Sequence, residues 1–247
     1  GLLAGPLLKW IDICACMSAE RFSGTHCVTA SMEDIHFLKK VSVGEAVKLT
    51  ARVHQAWKTS MEVGVTVTID RLGESDAEPQ VCCHAMSTFV SKDKKVLPKL
   101  EFSSDEEKAW AEQANSRKAI RLKMPKKQGQ EGRPEIVEGT TVSTELVMPH
   151  HCQHMGTTFG GWIMQWMECA ASIAAVRHTR MPMVCVSTDT LNFLAPSHPG
   201  DAVELRAKVT CVWNSSMEIG CWASAENLLE GTSKPICQMY ATYASSG

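Results

Sequence analysis

Two carboxylates stand in surroundings that should discourage them. Asp12 lies in an apolar stretch rich in Leu, Trp, Ile, Cys and Ala, and Glu168 lies in a second such stretch. A buried carboxylate without partners is costly, so each acid must be hydrogen-bonded, ion-paired or open to a cleft. Two uses fit: a structural acid that bonds backbone groups of a neighbouring strand, or a general base or nucleophile beside a cleft. The pair Gly160–Gly161 opens the second apolar stretch. Glycines there let a ligand approach the backbone, and the free amides of a helix N-terminus suit an oxyanion; a tight strand-to-helix turn explains the pair as well. The run His150-His-Cys-Gln-His154 holds zinc-type ligands, but its spacing matches neither a finger nor a helical HExxH motif. Polar loop contacts to a ligand are the better reading, and no metal is expected. Lys58, Lys208, Arg177 and His178 are candidates for meeting phosphates, although exposed basic residues usually have no such role.

The two acids are related by a repeat. Shifted by 156 residues, Trp10 meets Trp166 and Asp12 meets Glu168. At the same offset Phe37-Leu38 meets Phe193-Leu194, and Val43-Gly-Glu-Ala-Val meets Pro199-Gly-Asp-Ala-Val. Trp57 meets Trp213, and Ser60-Met-Glu-Val-Gly meets Ser216-Met-Glu-Ile-Gly. One constant offset over so many positions means a duplicated domain.

Each copy begins with an apolar segment (residues 7–20 and 162–177) long enough for a helix and apolar almost all round, which predicts burial. On the same reading, Trp10, Trp166, Trp57 and Trp213 pack cores or domain interfaces. Strand-like runs follow at 27–38, 46–57, 60–70 and 81–91, and the alternation from Met61 to Ile69 predicts a strand with one buried face. Lys58-Thr59 and Asn214-Ser215 are placed as two-residue hairpin turns. The fold class is therefore α+β, with an antiparallel sheet wrapped around one helix in each copy. Copy two has an extra strand at 141–148, joined to its helix by the loop 149–161; its counterpart would precede Gly1 and is missing from copy one. The expected domains are 1–93, a linker 94–138 and 139–247. Ser104-Asp-Glu-Glu107 is a capping box that opens a linker helix over 104–122, and residues 123–134 form a basic loop.

Composition bounds the function. The 247 residues are 44% hydrophobic and 21% charged, with a net charge of −2 and a pI near 6.5. No strong field favours nucleic acid or an anionic membrane, and no apolar run is long enough for a membrane helix. The eleven cysteines lack the spacing of a secreted module and read as small core residues, which points to a reduced, cytoplasmic setting.

Leu-Leu-Lys-Trp-Ile-Asp12 in copy one, Thr-Phe-Gly-Gly-Trp-Ile-Met-Gln-Trp-Met-Glu168 in copy two, and the paired Ser-Met-Glu-Val/Ile-Gly strands resemble acyl-coenzyme A thioesterases with tandem hotdog domains. The resemblance covers nearly the whole chain outside the charged linker. It implies hydrolysis of acyl-CoA to a free acid and CoA at a composite site, with an acid from one domain's helix and a loop from the other domain. The implied catalytic set is Asp12, Gln153 and Gly161, with Glu168 marking a second, lesser site. Amides near Gly161 would polarise the thioester carbonyl. His151, His154, Gly156, Gly160, Lys58 and Ser216 are the implied contacts to substrate. Family members usually carry Asn at the position of Gln153 and Asn or Asp at that of Thr157, and this chain departs from both. The resemblance further implies no cofactor beyond the CoA of the substrate, control by adenine nucleotide, and a homo-oligomer, commonly a trimer of two-domain chains. The competing classes are a non-catalytic acyl-CoA or CoA-binding hotdog and a hotdog dehydratase. The dehydratase would need a helix-proximal His, which neither helix carries.

Overall fold

The alternating strand patterns and the two apolar segments resolve into two sheets, each curled around a helix, in a computed structural model that describes residues 4–42, 44–70, 79–123 and 134–245. Helix α1 (Ala4–Ser23) is followed by β1 (Cys27–Met32), β2 (Ile35–His36), β3 (Ala46–Ala56), β4 (Ser60–Asp70) and β5 (Gln80–Ser91). Helix α2 (Asp105–Lys123) and β6 (Thr141–Leu146) lead into α3 (Gly160–Thr179). The chain then forms β7 (Met183–Thr188), β8 (Leu191–Asn192), β9 (Asp201–Val212), β10 (Ser216–Asn227) and β11 (Thr232–Ser245). Of the sequence expectations, Val43, residues 124–133 of the basic segment and the region before Ala4 lie outside the described residues.

Sheet one has the order β3-β4-β5-β1-β8 and sheet two β2-β7-β11-β10-β9-β6, with neighbouring strands antiparallel. Both hairpins close on two residues, with Trp57 N donating to Ser60 O and Trp213 N to Ser216 O, each at 2.8 Å. This is the hotdog architecture, present twice. In copy one, Leu8, Ile11, Ala15 and Ala19 of α1 pack on Met61, Val63, Val65 and Val67 of β4. In copy two, Ile163, Met167, Ala170 and Ala174 of α3 meet Leu205, Ile219, Met239 and Tyr243.

The structure revises several expectations. The run 27–38 is two strands, because β2 leaves its own sheet: Ile35 pairs with Thr188 and His36 with Ser187 at the edge of sheet two. In return β8 crosses to sheet one, where Leu191 pairs with Met32 and Asn192 with Ser31. Helix α1 is not buried all round, since the sheet and α3 cover only part of it; Trp10 is 40% exposed and Met17 69%. Trp213 is likewise half exposed, whereas Trp166 is buried. No strand among the described residues pairs with the outer edge of β3, the place that β6 occupies beside β9 in sheet two.

Strand β4 is buried on both faces only from Met61 to Val65, where Arg117 of α2 reaches Glu62 and His54 of β3 lies over Gly64. Helix α2 opens with Ser104 Oγ accepting from Glu107 N while Glu107 accepts from Ser103 N. It docks through Arg117, whose Nη2 and Nε donate to the fully buried Glu62 at 2.6 and 3.2 Å, and through Arg121, which pairs with Glu33. Trp57 Nε1 donates to Asn115 Oδ1 at 2.9 Å, and Trp110 stacks on His54. No helix among the described residues is long and apolar enough to cross a membrane.

Removing one member of a buried pair strands the other. Arg117→Ala is expected to cost about 3–5 kcal/mol in urea denaturation, and Glu62→Leu/Arg117→Leu much less, since hydrophobic residues replacing a buried pair leave no charge behind.

Candidate active site

The site begins with a helix crossing that only glycine permits. A Cβ on Gly161 would lie 2.8 Å from Lys9 Cα and 2.9 Å from Asp12 Cβ; one on Gly5 would lie 3.0 Å from Gln165 O and 3.0 Å from Glu168 Oε2. These positions correspond through the 156-residue repeat, so the crossing of α1 and α3 has approximate two-fold symmetry. Gly5 and Gly161 both stand in the first turn of their helices, where amides have no intrahelical acceptor. Each amide donates across the crossing to the other copy's acid: Gly161 N to Asp12 Oδ2 at 2.8 Å, and Gly5 N to Glu168 Oε2 at 3.0 Å. The positive end of each helix dipole thereby faces a carboxylate.

The two acids differ in their remaining partners. Asp12 Oδ1 accepts one bond, from Thr29 Oγ1 at 2.8 Å. Glu168 Oε1 accepts from Ser172 Oγ at 2.7 Å and from Tyr243 OH at 3.1 Å. Both carboxyls are fully buried. Burial pushes the pKa of Asp12 up to about 6, outweighing the bonds from Thr29 and Gly161 that favour its charged form. Burial likewise raises Glu168, against Ser172, Gly5 and Tyr243.

A half-open cleft of about 460 Å³ is lined by Thr29, the partner of Asp12, and by Gln153, Thr157 and Gly160, with an apolar wall that includes Ile163 and Phe193. The fully buried Asp12 does not itself line it. Gly160 is required there, because a Cβ would meet the Phe193 ring at 2.7 Å. The loop ahead of α3 is folded on itself: Gln153 N donates to Thr157 O, Gly156 N to Gln153 O, and Gly156 takes a φ of 71° that suits glycine. Gln153 Nε2 donates to Thr157 Oγ1 at 2.9 Å, so these two loop side chains are partners of one another.

The structure brings Gln153 and Gly160 to the cleft and pairs Asp12 with Gly161. Its single amide proton is committed to Asp12, so it holds the acid in place and leaves a substrate carbonyl to other donors. His151 sits behind the loop: its Nδ1 accepts from Met148 N, and its ring packs on Trp162 and Trp166. Burial, with His150 and Lys9 nearby, holds its pKa below the ordinary value. His154 lies against the His26 ring. Lys58 and Ser216 belong to the β3–β4 and β9–β10 hairpins and do not line the cleft. No group of three or more His, Cys, Asp or Glu among the described residues is arranged to hold a metal. Sequence reasoning missed Thr29 and Gly5. Gly5 was readable as the repeat partner of Gly161; Thr29 carried no such signal, because Cys185 stands at its repeat position.

A carboxyl whose folded pKa exceeds its unfolded value stabilises the fold at low pH and loses that contribution as pH rises through the folded pKa. For Asp12 the window runs from its ordinary 3.8 to about 6, and Glu168 acts in the same direction. Asp12→Asn is therefore expected to flatten the fall in unfolding free energy between pH 4 and 7.5 by up to about 3 kcal/mol, measured by urea denaturation across a pH series.

Comparison with known proteins places the two repeated units in a family. The sequence profile described as "Thioesterase superfamily" matches residues 3–75 and again 155–231. Acyl-coenzyme A thioesterase 11 of Mus musculus is 39% identical over 91% of this chain and 40% of its own length. The acetyl-coenzyme A thioesterase of Rattus norvegicus is 34% identical over 89% of this chain and 43% of its own. The chain thus spans less than half the length of these relatives. A crystal structure from Lactobacillus plantarum, provisionally named an oleoyl thioesterase, superposes with a TM-score of 0.63 over 98% of this chain and 89% of that one at 10% identity, a likeness of fold. On the repeated sheet-and-helix units and the two matched segments together, this chain belongs to the thioesterase superfamily and carries its domain twice.

Proposed function

We propose that the protein hydrolyses acyl-CoA thioesters to a free acid and CoA, at a composite site made by Asp12 of copy one and the loop Gln153–Gly161 of copy two. The observation that carries this reading is the buried Asp12 carboxyl, poised near pKa 6 and held by the other copy's helix terminus beside an apolar cleft. A carboxylate with a raised pKa is a stronger base than an exposed one and accepts a proton from water near neutral pH. In the hydrolytic step Asp12 takes a proton from water as the water oxygen attacks the thioester carbon; the C–S bond breaks and the CoA thiolate leaves with that proton. In the alternative the carboxylate attacks directly and expels the CoA thiolate to give an anhydride, which water opens to the free acid and the regenerated carboxylate. Thr29 orients the carboxylate through Oδ1, and the Gln153 carboxamide positions the carbonyl or the water. Gly156, Gly160 and His154 are proposed contacts to CoA or the acyl group. Contacts from Lys58, Ser216 or His151 would have to form outside the cleft lining.

Site two is read as the lesser one: Glu168 accepts three bonds, two of them on one oxygen, where Asp12 accepts two. The same reading takes domains of 1–93 and 139–247 about the segment 94–138, a cytoplasmic location, assembly into trimers and control by adenine nucleotide. One observation favours a second reading, a non-catalytic acyl-CoA-binding hotdog. The Gln153 amide, which should face the substrate, spends a proton on Thr157.

Free-thiol release from a panel running from acetyl- to palmitoyl-CoA separates the two readings: turnover on any member supports the hydrolase, and binding without turnover supports the carrier. With a hydrolase, Asp12→Asn is expected to lower turnover by about 10²–10⁴-fold while remaining folded. The wild-type rate is expected to fall as pH drops through about 6, where Asp12 takes up a proton, and the residual rate of the variant should lack that limb. A folded variant with undiminished turnover removes Asp12 from the mechanism.

A further inference from the structure

The two sheets carry related outer faces, and only one of them is covered. On sheet one, α2 lies across β3 and β4 with Ala111 and Ala114 buried in the contact. Its polar partners there are Trp57, Glu62 and Glu33, taken by Asn115, Arg117 and Arg121. The 156-residue repeat turns these three receptors into Trp213, Glu218 and Asp189, so the aromatic and both acids are kept. Their surroundings differ: His54 and Gln55, which meet Trp110 and Asn115 of α2, become Thr210 and Cys211, and the receptors are more exposed. Trp213 is 50% exposed, beside Val212 at 53%, and Asp189 is exposed where Glu33 is partly covered.

The charges on the two faces tell the same story. Burial raises the pKa of Glu33 and Glu62 adds to it, while Arg121 and Arg117 oppose the rise. Burial likewise raises Asp189, with Glu218 and Asp34 adding to it and only His36 opposing. Glu218 accepts from Thr210 Oγ1 at 2.5 Å, and no Lys or Arg among the described residues pairs with either acid. A duplicated receptor that keeps its acids and its tryptophan, and lacks the arginines that neutralise them, is complementary to a helix bearing those arginines.

We propose that the outer face of sheet two, around Trp213, Glu218 and Asp189, docks an amphipathic α-helix of α2's chemistry: small residues along the contact stripe, an asparagine, and arginines two and six positions after it. Arginine is specified over lysine because the Glu62 contact is a two-nitrogen fork. The occupant is a helix of this pattern supplied to the face, since α2 itself is engaged on sheet one.

The test is fluorescence anisotropy of a labelled peptide of residues 103–123 titrated with the purified chain. Saturable binding is expected, weakened at least tenfold by Glu218→Arg and by the exposed-site variant Trp213→Ala, with circular dichroism confirming that each variant folds. A peptide with Arg117→Glu and Arg121→Glu is expected to prefer the Asp189→Arg/Glu218→Arg protein over the wild type. Absence of saturable binding overturns the proposal, as does binding that ignores both variants. An oligomer in sedimentation that Glu218→Arg dissociates also overturns it, because a second copy would then cover the face.

Discussion

Everything in this molecule is arranged around a close crossing of two helices in which each N-terminal amide holds the other helix's buried acid. The crossing needs glycine at position 161, where a Cβ would meet the Lys9 backbone at 2.8 Å, and is tight at position 5, where one would meet Gln165 O at 3.0 Å. Contact at that distance is what lets a backbone N–H reach a carboxylate on the neighbouring helix at 2.8–3.0 Å. The interaction removes two carboxylates from water and compensates them in part, which leaves Asp12 with a pKa near neutrality. A single copy contains the acid or the amide that holds it, never the matched pair, so each acid depends on the other copy for its backbone donor.

The rest of the fold reinforces that pairing. Strands β2 and β8 are exchanged between the sheets, so neither copy completes its own edge. The exchange places Phe193, which follows β8, against Gly160 and the cleft. The two halves have nonetheless diverged where symmetry is not needed for packing. Around Asp12 one oxygen meets a single hydroxyl; around Glu168 two hydroxyls, from Ser172 and Tyr243, converge on one oxygen. A carboxylate with its acceptor sites filled is a structural acid, and one with capacity left beside a cleft is a candidate base. The loop shows the same drift, since Gln153 and Thr157 are tied to each other.

The repeat, the α+β class and the family were legible before any coordinates, because they depend on residue type and spacing. Asp12 and Glu168 were conspicuous for the same reason, as charges in apolar runs at matched positions. Other features were not legible. The run 27–38 reads as one strand locally, and nothing in it says that its second half pairs with the other copy. The alternation of β4 predicts one buried face, and the second is buried only around Glu62 and Gly64, by Arg117 of a helix some fifty residues later and by His54 of the neighbouring strand. Trp10 and Trp213 carry the residue type of a core and stand half in solvent.

What the sequence by itself determined is the set of parts: two equivalent units, two buried acids, the glycine pair Gly160–Gly161 and an apolar helix in each copy. What only the tertiary structure decided is which donor meets which acid. Gly161 looked like a donor for substrate and is a donor for Asp12, while Thr29, unremarkable in its strand, supplies the second bond. The reason is geometric. Hydrophobic patterning sets which face of an element is buried, but a hydrogen bond needs its atoms placed to within a few tenths of an ångström. That placement comes from how elements distant in the chain cross, and no local pattern encodes it.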